Sequence, residues 1–122
     1  MSKNRTDYLV RGIDKGANFR FFGANSRILV NEACQKHQTT PVASAALGRT
    51  LTATVMMGGM LKRDEDRISI IIRGDGPIGG IITEANGKGE VKGYVYNPQI
   101  ESHLNYLGKL VPSHAVGNGH MT

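Results

Sequence analysis

One segment constrains the fold of this chain more than any other: residues 41–61, PVASAALGRTLTATVMMGGML. Arg49 is its only charged residue, and its apolar and small side chains recur at helical spacing. A helix that lacks a polar face has to be covered by other parts of the protein. Thr40 and Pro41 predict its start, because a hydroxyl residue followed by proline is a common helix beginning. The sequence therefore predicts a largely buried helix.

Short segments on both sides of this helix have the alternation and the turn residues that are typical of β-strands. Residues 8–13 and 18–24 predict a hairpin that turns at Asp14-Lys15-Gly16. Three later segments predict an antiparallel meander: residues 67–73, 78–84 and 90–96. Ser26 is a suitable N-cap for a further helix over residues 27–37. The predicted fold class is α+β: an N-terminal hairpin, two helices of which the second is largely buried, and a three-stranded antiparallel meander.

The length of 122 residues fits one domain. Beyond Pro98 the signals weaken, with a short strand predicted near residues 108–111 and a turn entering a strand at 116–122. A natural domain seldom ends where a strand begins. We therefore expect residues 1–122 to be the N-terminal part of a longer domain.

The charge balance leaves one class of partner open. Fifteen basic side chains against ten acidic ones give a net charge of +5, which suits an RNA- or anion-binding module. The basic residues are scattered, however, there is no tryptophan, and all three phenylalanines lie within residues 19–22. Because a base-stacking platform needs interleaved aromatic side chains, nucleic acid is not the expected partner.

The sequence predicts a cytoplasmic protein without a membrane span. The first residues contain no apolar leader, and the uncharged run at 50–61 is shorter than the about 20 residues that cross a bilayer. Cys34 is the only cysteine, so neither an internal disulfide nor a cysteine-based zinc site can form within this chain. We interpret Cys34 as a small buried apolar residue of the first helix.

Residues 73–79, RGDGPIG, contain an adhesion tripeptide and the glycine spacing of a dinucleotide-binding turn. A nucleotide site at Gly74–Gly79 needs a following helix, whose N-terminus binds the phosphates. Pro77 is followed instead by a β-rich segment. We therefore predict a tight turn with close packing, and keep a small nucleotide-binding enzyme as the weaker alternative.

Few residues qualify as functional candidates. No nucleophile-and-base set is visible, and the four histidines, which are far apart, are not spaced as metal ligands: His37, His103, His114 and His120. Arg49 either pairs with a carboxylate or carbonyl or faces a functional groove, and we favour the structural pair. Met56, Met57 and Met60 cluster at the end of the second helix, where flexible thioethers suit either a core or an adaptable binding surface.

Several motifs, in order along nearly the whole chain, resemble those of one family, the redox-regulated heat-shock holdase chaperones of thirty-three kilodaltons. They are Asp7-Tyr8-Leu9-Val10-Arg11, Pro41-x-Ala43-Ser44-Ala45-Ala46-Leu47-Gly48-Arg49-Thr50, Gly74-x-Gly76-Pro77-Ile78-Gly79 and Asn97-Pro98.

The resemblance implies a mixed α/β domain that binds unfolding client proteins without ATP, does no catalysis and forms a homodimer. It also implies a C-terminal zinc centre of four cysteines that acts as a redox switch. None of those cysteines occurs here, so zinc is expected only in a part of the family that this chain does not match. For this chain the resemblance leads us to expect a client-binding surface that includes Met56, Met57, Met60 and the outward side of the meander.

Overall fold

The computed structural model describes residues 6–101 and 107–122. Two strands open the chain and are followed by two helices, three strands, a short helix and a last short strand. Their bounds are β1 Tyr8–Ile13, β2 Arg20–Asn25, α1 Arg27–His37, α2 Pro41–Gly58, β3 Arg67–Gly74, β4 Gly80–Asn86, β5 Val91–Val95, α3 Pro112–Val116 and β6 Gly119–Met121. The α+β class predicted from the sequence is confirmed.

Helix α2 forms the centre of the core. Its apolar side chains pack on one face of the sheet built from β3, β4 and β5, as the missing polar face predicts. The most deeply buried members of this contact are Leu47, Leu51, Ile78 and Ile81. Arg49, the one charge on the helix, points to solvent.

Threonines make the burial of α2 possible. Thr50, Thr52 and Thr54 each donate their hydroxyl to the backbone carbonyl four residues earlier, at 2.6 to 2.9 Å. The oxygen of Thr54 also lies 2.6 Å from the hydroxyl of Thr83 on β4, and both side chains are fully buried. Because Thr54 has already used its only proton, Thr83 is the donor in this bond. The helix is thereby hydrogen-bonded to the sheet inside the core.

The larger sheet has the strand order β5-β4-β3-β6, and all its neighbours are antiparallel. The predicted meander is therefore present, and β6 adds a fourth strand beside β3. Ile70 and Ile72 on β3 lie on the face that α2 covers, and Ile71 lies on the opposite face. We call these the inner and the outer sheet face.

The hairpin of β1 and β2 is a separate two-stranded sheet at the C-terminal end of α2. Leu9 anchors it, with its side chain against Gly59 just beyond the helix. At the hairpin turn, the backbone N–H groups of Phe19 and Asn18 donate to the Asp14 carboxylate, and these bonds lower the pKa of Asp14 below its usual value. Phe19 and Phe21 are mostly exposed, because no other described element covers that side.

One helix boundary and two helix caps differ from the prediction, and long-range contacts explain the two caps. Helix α2 ends at Gly58 and not at residue 61. Ser26 does not cap α1; its hydroxyl instead binds Thr52 on α2. The Thr40 hydroxyl donates to the carbonyl of Ile100, 60 residues away, and not to its own helix. In both cases a tertiary partner has replaced the expected local one.

The C-terminal segment was only partly predicted. Near residues 108–111 only Leu110 forms an isolated β-bridge, and the helix α3 that follows has no clear sequence signal. Ala115 is buried in the core, and β6 then pairs with β3. The predicted turn entering a strand is confirmed by β6.

The Thr54–Thr83 bond predicts an asymmetric pair of mutants. Thr54→Val leaves the buried Thr83 hydroxyl without its acceptor and should reduce the free energy of unfolding by about 1–3 kcal/mol. Thr83→Val removes the donor but leaves Thr54 bonded to the Thr50 carbonyl, so the loss should be only about 0.5–1.5 kcal/mol. Urea unfolding of both single variants and the double variant measures these values. An equal or larger loss in Thr83→Val would contradict the assigned direction.

A second prediction concerns the start of α1, which is capped by a residue distant in sequence. The two carboxylate oxygens of Asp7 accept the N–H groups of Ile28 and Leu29 at 3.0 and 2.7 Å. Asp7→Ala should therefore lower stability by about 1 kcal/mol, as loss of an N-cap does. Ser26→Ala changes the position that sequence alone favours, and any loss there reports on the Ser26–Thr52 hydrogen bond and not on a cap. If the Asp7→Ala urea midpoint equals that of the parent chain, Asp7 is not the cap in solution.

Candidate functional site

The outer sheet face is the side of the larger sheet that no other described element covers. Across its centre runs a row of direct cross-strand neighbours: Ile71 on β3 pairs with Ile82 on β4, and Ile82 pairs with Tyr94 on β5. Side chains opposite each other on neighbouring strands point to the same face. The three side chains therefore form one apolar row, about 10 Å from the first strand to the third.

Tyr96 extends this row. Its ring centroid lies 6.1 Å from that of Tyr94 in a stacked arrangement, and its side chain packs against Gly79 and Gly80. The N–H of Tyr96 donates to the Gly80 carbonyl at 2.9 Å, which continues the β4–β5 ladder by one residue. Tyr94 and Tyr96 remain 44% and 48% exposed. Two partly exposed aromatic rings thus lie side by side on the outer sheet face.

Charged side chains border the row at one end. Arg67 on β3 bonds to Glu84 on β4 at 3.0 Å, and Lys92 on β5 lies directly opposite Glu84. These charges are of both signs, and the exposed Arg73, two residues beyond Ile71 on the same face of β3, borders the other end of the row. An exposed apolar patch with a polar rim is the usual form of a protein-binding surface.

The structure does not bring the three candidate methionines together with this face. They lie at the end of α2, and α2 packs on the inner sheet face. Met56 lines a groove between α1 and α2, and Met60, which is 48% exposed, lines another groove beside the β1–β2 hairpin. Met57 is half-buried. The prediction for Met56, Met57 and Met60 thus concerns separate surfaces, and it stays a prediction.

Two other candidates lie away from the outer sheet face. Arg49 is exposed on the rim of the α1–α2 groove, and it makes no ion pair with any residue in 6–101 or 107–122. The structural pair that we favoured is therefore wrong, since the guanidinium faces a groove. Cys34 is half-buried on α1, not fully buried as expected. His103 lies outside the described residues.

The glycine-rich turn is filled by the chain itself. A side chain at Gly74 would meet the Val116 carbonyl oxygen at 2.1 Å, and one at Gly76 would meet the Ala115 carbonyl oxygen at 2.3 Å. The Asp75 carboxylate accepts the N–H of Asn118 at 2.8 Å. Strand β4, and not a helix, follows the turn. The close packing therefore explains the glycines, and a bound dinucleotide does not.

Within 6–101 and 107–122, no three His, Cys, Asp or Glu side chains are grouped as metal ligands. None of the helices in these ranges combines the length and apolarity needed to cross a bilayer.

Comparison with known proteins gives one consistent result. The family model described as Hsp33 protein matches residues 7–122. A 33 kDa chaperonin from Bacillus pumilus is 51% identical over 111 residues, and one from a Geobacillus species is 51% identical over 118 residues. These alignments cover 91% and 96% of this chain, but only 38% and 40% of the relatives. The chain thus spans about two fifths of their length.

A solved structure agrees with the sequence comparison. The crystal structure of a 33 kDa chaperonin, a heat shock protein 33 homologue from Thermotoga maritima, superposes with a TM-score of 0.85 at 32% identity. The superposition covers 91% of this chain and 38% of that one. The same order of strands and helices therefore occurs in a relative of distant sequence. By its sequence motifs, its fold and these comparisons, this chain belongs to the Hsp33 family.

Proposed function

We propose that this chain is the client-binding part of a molecular chaperone that holds unfolding proteins and prevents their aggregation without ATP. The observation that carries the proposal is the uncovered row of Ile71, Ile82 and Tyr94, extended by Tyr96, on the outer sheet face. Membership of a family whose members are named chaperonins supports it.

Physical chemistry explains how such a face would select unfolded chains. An unfolding protein exposes apolar side chains, and each Å² of apolar surface removed from water stabilises the complex by about 25 cal/mol. Tyrosine rings offer a large contact area at little loss of conformational entropy, and their hydroxyls stay in water. A folded client has no such segments to offer. Binding of a client therefore depends on non-covalent affinity alone, and no covalent bond is made or broken.

The core keeps this face in place. The inner sheet face is packed on α2, and the Thr54–Thr83 bond joins the two layers. The backbone under the row is therefore ordered before a client arrives, which reduces the entropy lost on binding. Different clients are accommodated by the exposed side chains and not by movement of the sheet.

Redox control and cellular location complete the proposal. The zinc centre that the family resemblance implies requires four cysteines, and Cys34 is the only cysteine of this sequence. We therefore assign any redox switch to the part of the relatives that this chain does not cover, and no step proposed here involves zinc. A cytoplasmic location fits this assignment, because thiols stay reduced there until stress occurs.

Replacement of the apolar row tests the client site. The triple variant Ile71→Thr, Ile82→Thr, Tyr94→Thr keeps good strand formers but removes the apolar surface. We expect it to suppress aggregation of a chemically unfolded enzyme at least about tenfold less well, since client contacts with these three apolar side chains together contribute more than about 1.4 kcal/mol. Light scattering at several chaperone concentrations measures this, and urea unfolding verifies the fold.

A control variant removes exposed apolar side chains that lie away from the outer sheet face. Tyr8→Thr and Ile28→Thr change residues that are 56% and 49% exposed on β1 and α1. They should leave suppression unchanged. Alanine variants of Met56, Met57 and Met60 belong in the same assay. If they abolish suppression while the sheet variant retains it, the client site lies at the end of α2 and the outer sheet face is not involved.

We also propose that the chain forms a homodimer. In the larger sheet, β5 and β6 each have only one neighbouring strand in the described structure, so each presents an edge with unpaired backbone groups. Such edges favour strand pairing with a second copy. Analytical ultracentrifugation should show a dimer or larger species that grows with concentration. A single monomeric boundary at high concentration would exclude this association.

A further inference from the structure

A groove beside the hairpin differs from the outer sheet face in its charge. It lies between the side of the β1–β2 hairpin that carries Leu9 and the chain just after α2, and it has a volume of about 500 Å³. Four apolar side chains line it: Ile13, Phe22, Met60 and Leu61. Three cationic side chains line it as well: Arg11, Arg20 and Lys62. We call this surface the cationic groove.

The hairpin register brings the two arginines together. Arg11 on β1 pairs directly with Phe22 on β2, and Ile13 pairs with Arg20. All four side chains point to one face of the hairpin, so each arginine lies beside an apolar neighbour on the same strand and opposite one across the ladder. Lys62 approaches from the other wall, after the end of α2. Charge and apolar surface therefore alternate along the groove.

These cations have no partner within the chain as described. Over residues 6–101 and 107–122 the ion pairs involve Lys36, Arg63 and Arg67, but neither Arg11, Arg20 nor Lys62. None of the described residues that line the groove is acidic. By contrast, Arg67 on the outer sheet face is paired with Glu84. The outer sheet face thus has Glu84 among its cations, whereas the groove has no acidic side chain to offset its positive charge.

A purely structural role for the cations would be to cap the C-terminus of α2, where the helix dipole favours positive charge. The last carbonyls are already bonded, however. Gly59 N–H donates to Val55 and Met56, Met60 N–H to Met57, and Leu61 N–H to Gly58, all at about 3.1 Å or less. No described hydrogen bond joins Arg11, Arg20 or Lys62 to these oxygens. The cations are therefore available for a ligand.

The chemistry of the lining defines the occupant. A carboxylate placed between Arg11, Arg20 and Lys62 gains charge-assisted hydrogen bonds, and an apolar side chain next to it fits against Phe22 and Ile13. A second copy of the same groove is a poor occupant, because it would bring a second set of three positive charges onto the first in a chain of net charge +5.

We propose that the cationic groove binds extended client segments in which acidic residues alternate with apolar ones. This inference rests on the proposed chaperone function and assigns it a preferred class of client. Apolar segments without charge then bind to the outer sheet face, and acidic–apolar segments bind to the groove. Because the groove adds electrostatic attraction, it also accelerates the first encounter with acidic, unfolding proteins.

Direct peptide binding tests the groove. The probe is a short fluorescent peptide of alternating leucine and glutamate, and its neutral match has glutamine in place of glutamate. Fluorescence anisotropy is measured with the parent chain and with the variant Arg11→Gln, Arg20→Gln, Lys62→Gln. We expect the acidic peptide to bind this variant roughly tenfold more weakly, since each exposed charge pair contributes modestly and three such pairs are lost together. The affinity of the neutral peptide should not change.

A control variant separates a defined groove from overall charge. Lys36→Gln, Arg49→Gln, Lys88→Gln removes the same number of positive charges from exposed positions that do not line the groove. It should bind the acidic peptide as the parent does. Raising the salt to about 1 M, where the Debye length is about 3 Å, should abolish the difference between the parent and the groove variant. Equal weakening in both variants would overturn the proposal, because attraction would then be non-specific.

Other ligands provide the remaining outcomes. If single-stranded RNA or anionic lipid vesicles bind the parent through Arg11, Arg20 and Lys62 while the acidic peptide does not, the groove is not a peptide site. The assay is also independent of chaperone activity. If the acidic peptide binds but the chain does not suppress aggregation, the proposed function is wrong and the groove is still a peptide site. If the chain suppresses aggregation but the groove variant binds the acidic peptide as tightly as the parent, the groove proposal is wrong and the proposed function stands.

Discussion

The packing of α2 on the inner sheet face is the contact on which the rest of this structure depends. A helix with one charge in its length is stable in water only when something covers it, and the inner faces of β3, β4 and β5 do so. The threonines of α2 donate their hydroxyls to backbone carbonyls of the same helix, and Thr54 accepts a hydrogen bond from the Thr83 hydroxyl across the interface. The layers are thus fixed in register by a polar bond inside an apolar contact.

That packing also gives the two faces of the sheet different surroundings. The inner face is occupied by the core, and the outer face keeps Tyr94 exposed and Ile71 and Ile82 half-buried, with no other described element packed over them. The hairpin lies at the end of α2 and adds a second surface. There Arg11, Arg20 and Lys62 lie beside apolar side chains. One scaffold thereby presents two apolar surfaces that differ in their charged neighbours, and both suit the client binding that we propose.

Much of this architecture follows from local patterns. Helix α1 and strand β1 have the predicted bounds, and the meander differs from its predicted limits by one or two residues, because alternation and turn residues are local properties. The outer sheet face could be predicted in part as well. Lys92, Tyr94 and Tyr96 share one side of a strand in the sequence, so the outward aromatic pair was within reach of prediction. The helix caps could not be predicted, because Asp7 caps α1 from 21 residues away and Thr40 bonds to a carbonyl 60 residues away.

The sequence by itself determined helices α1 and α2, the hairpin, the meander, the burial of α2 and the family, because each depends on residues close together or on motifs in order. Only the tertiary structure decided which sheet face stays uncovered, that Met56 and Met60 line different grooves, and that Arg49 faces solvent. It alone also brought Lys62 beside Arg11 and Arg20. These placements result from the way distant elements pack, and packing minimises the free energy of the whole chain, which no local pattern encodes.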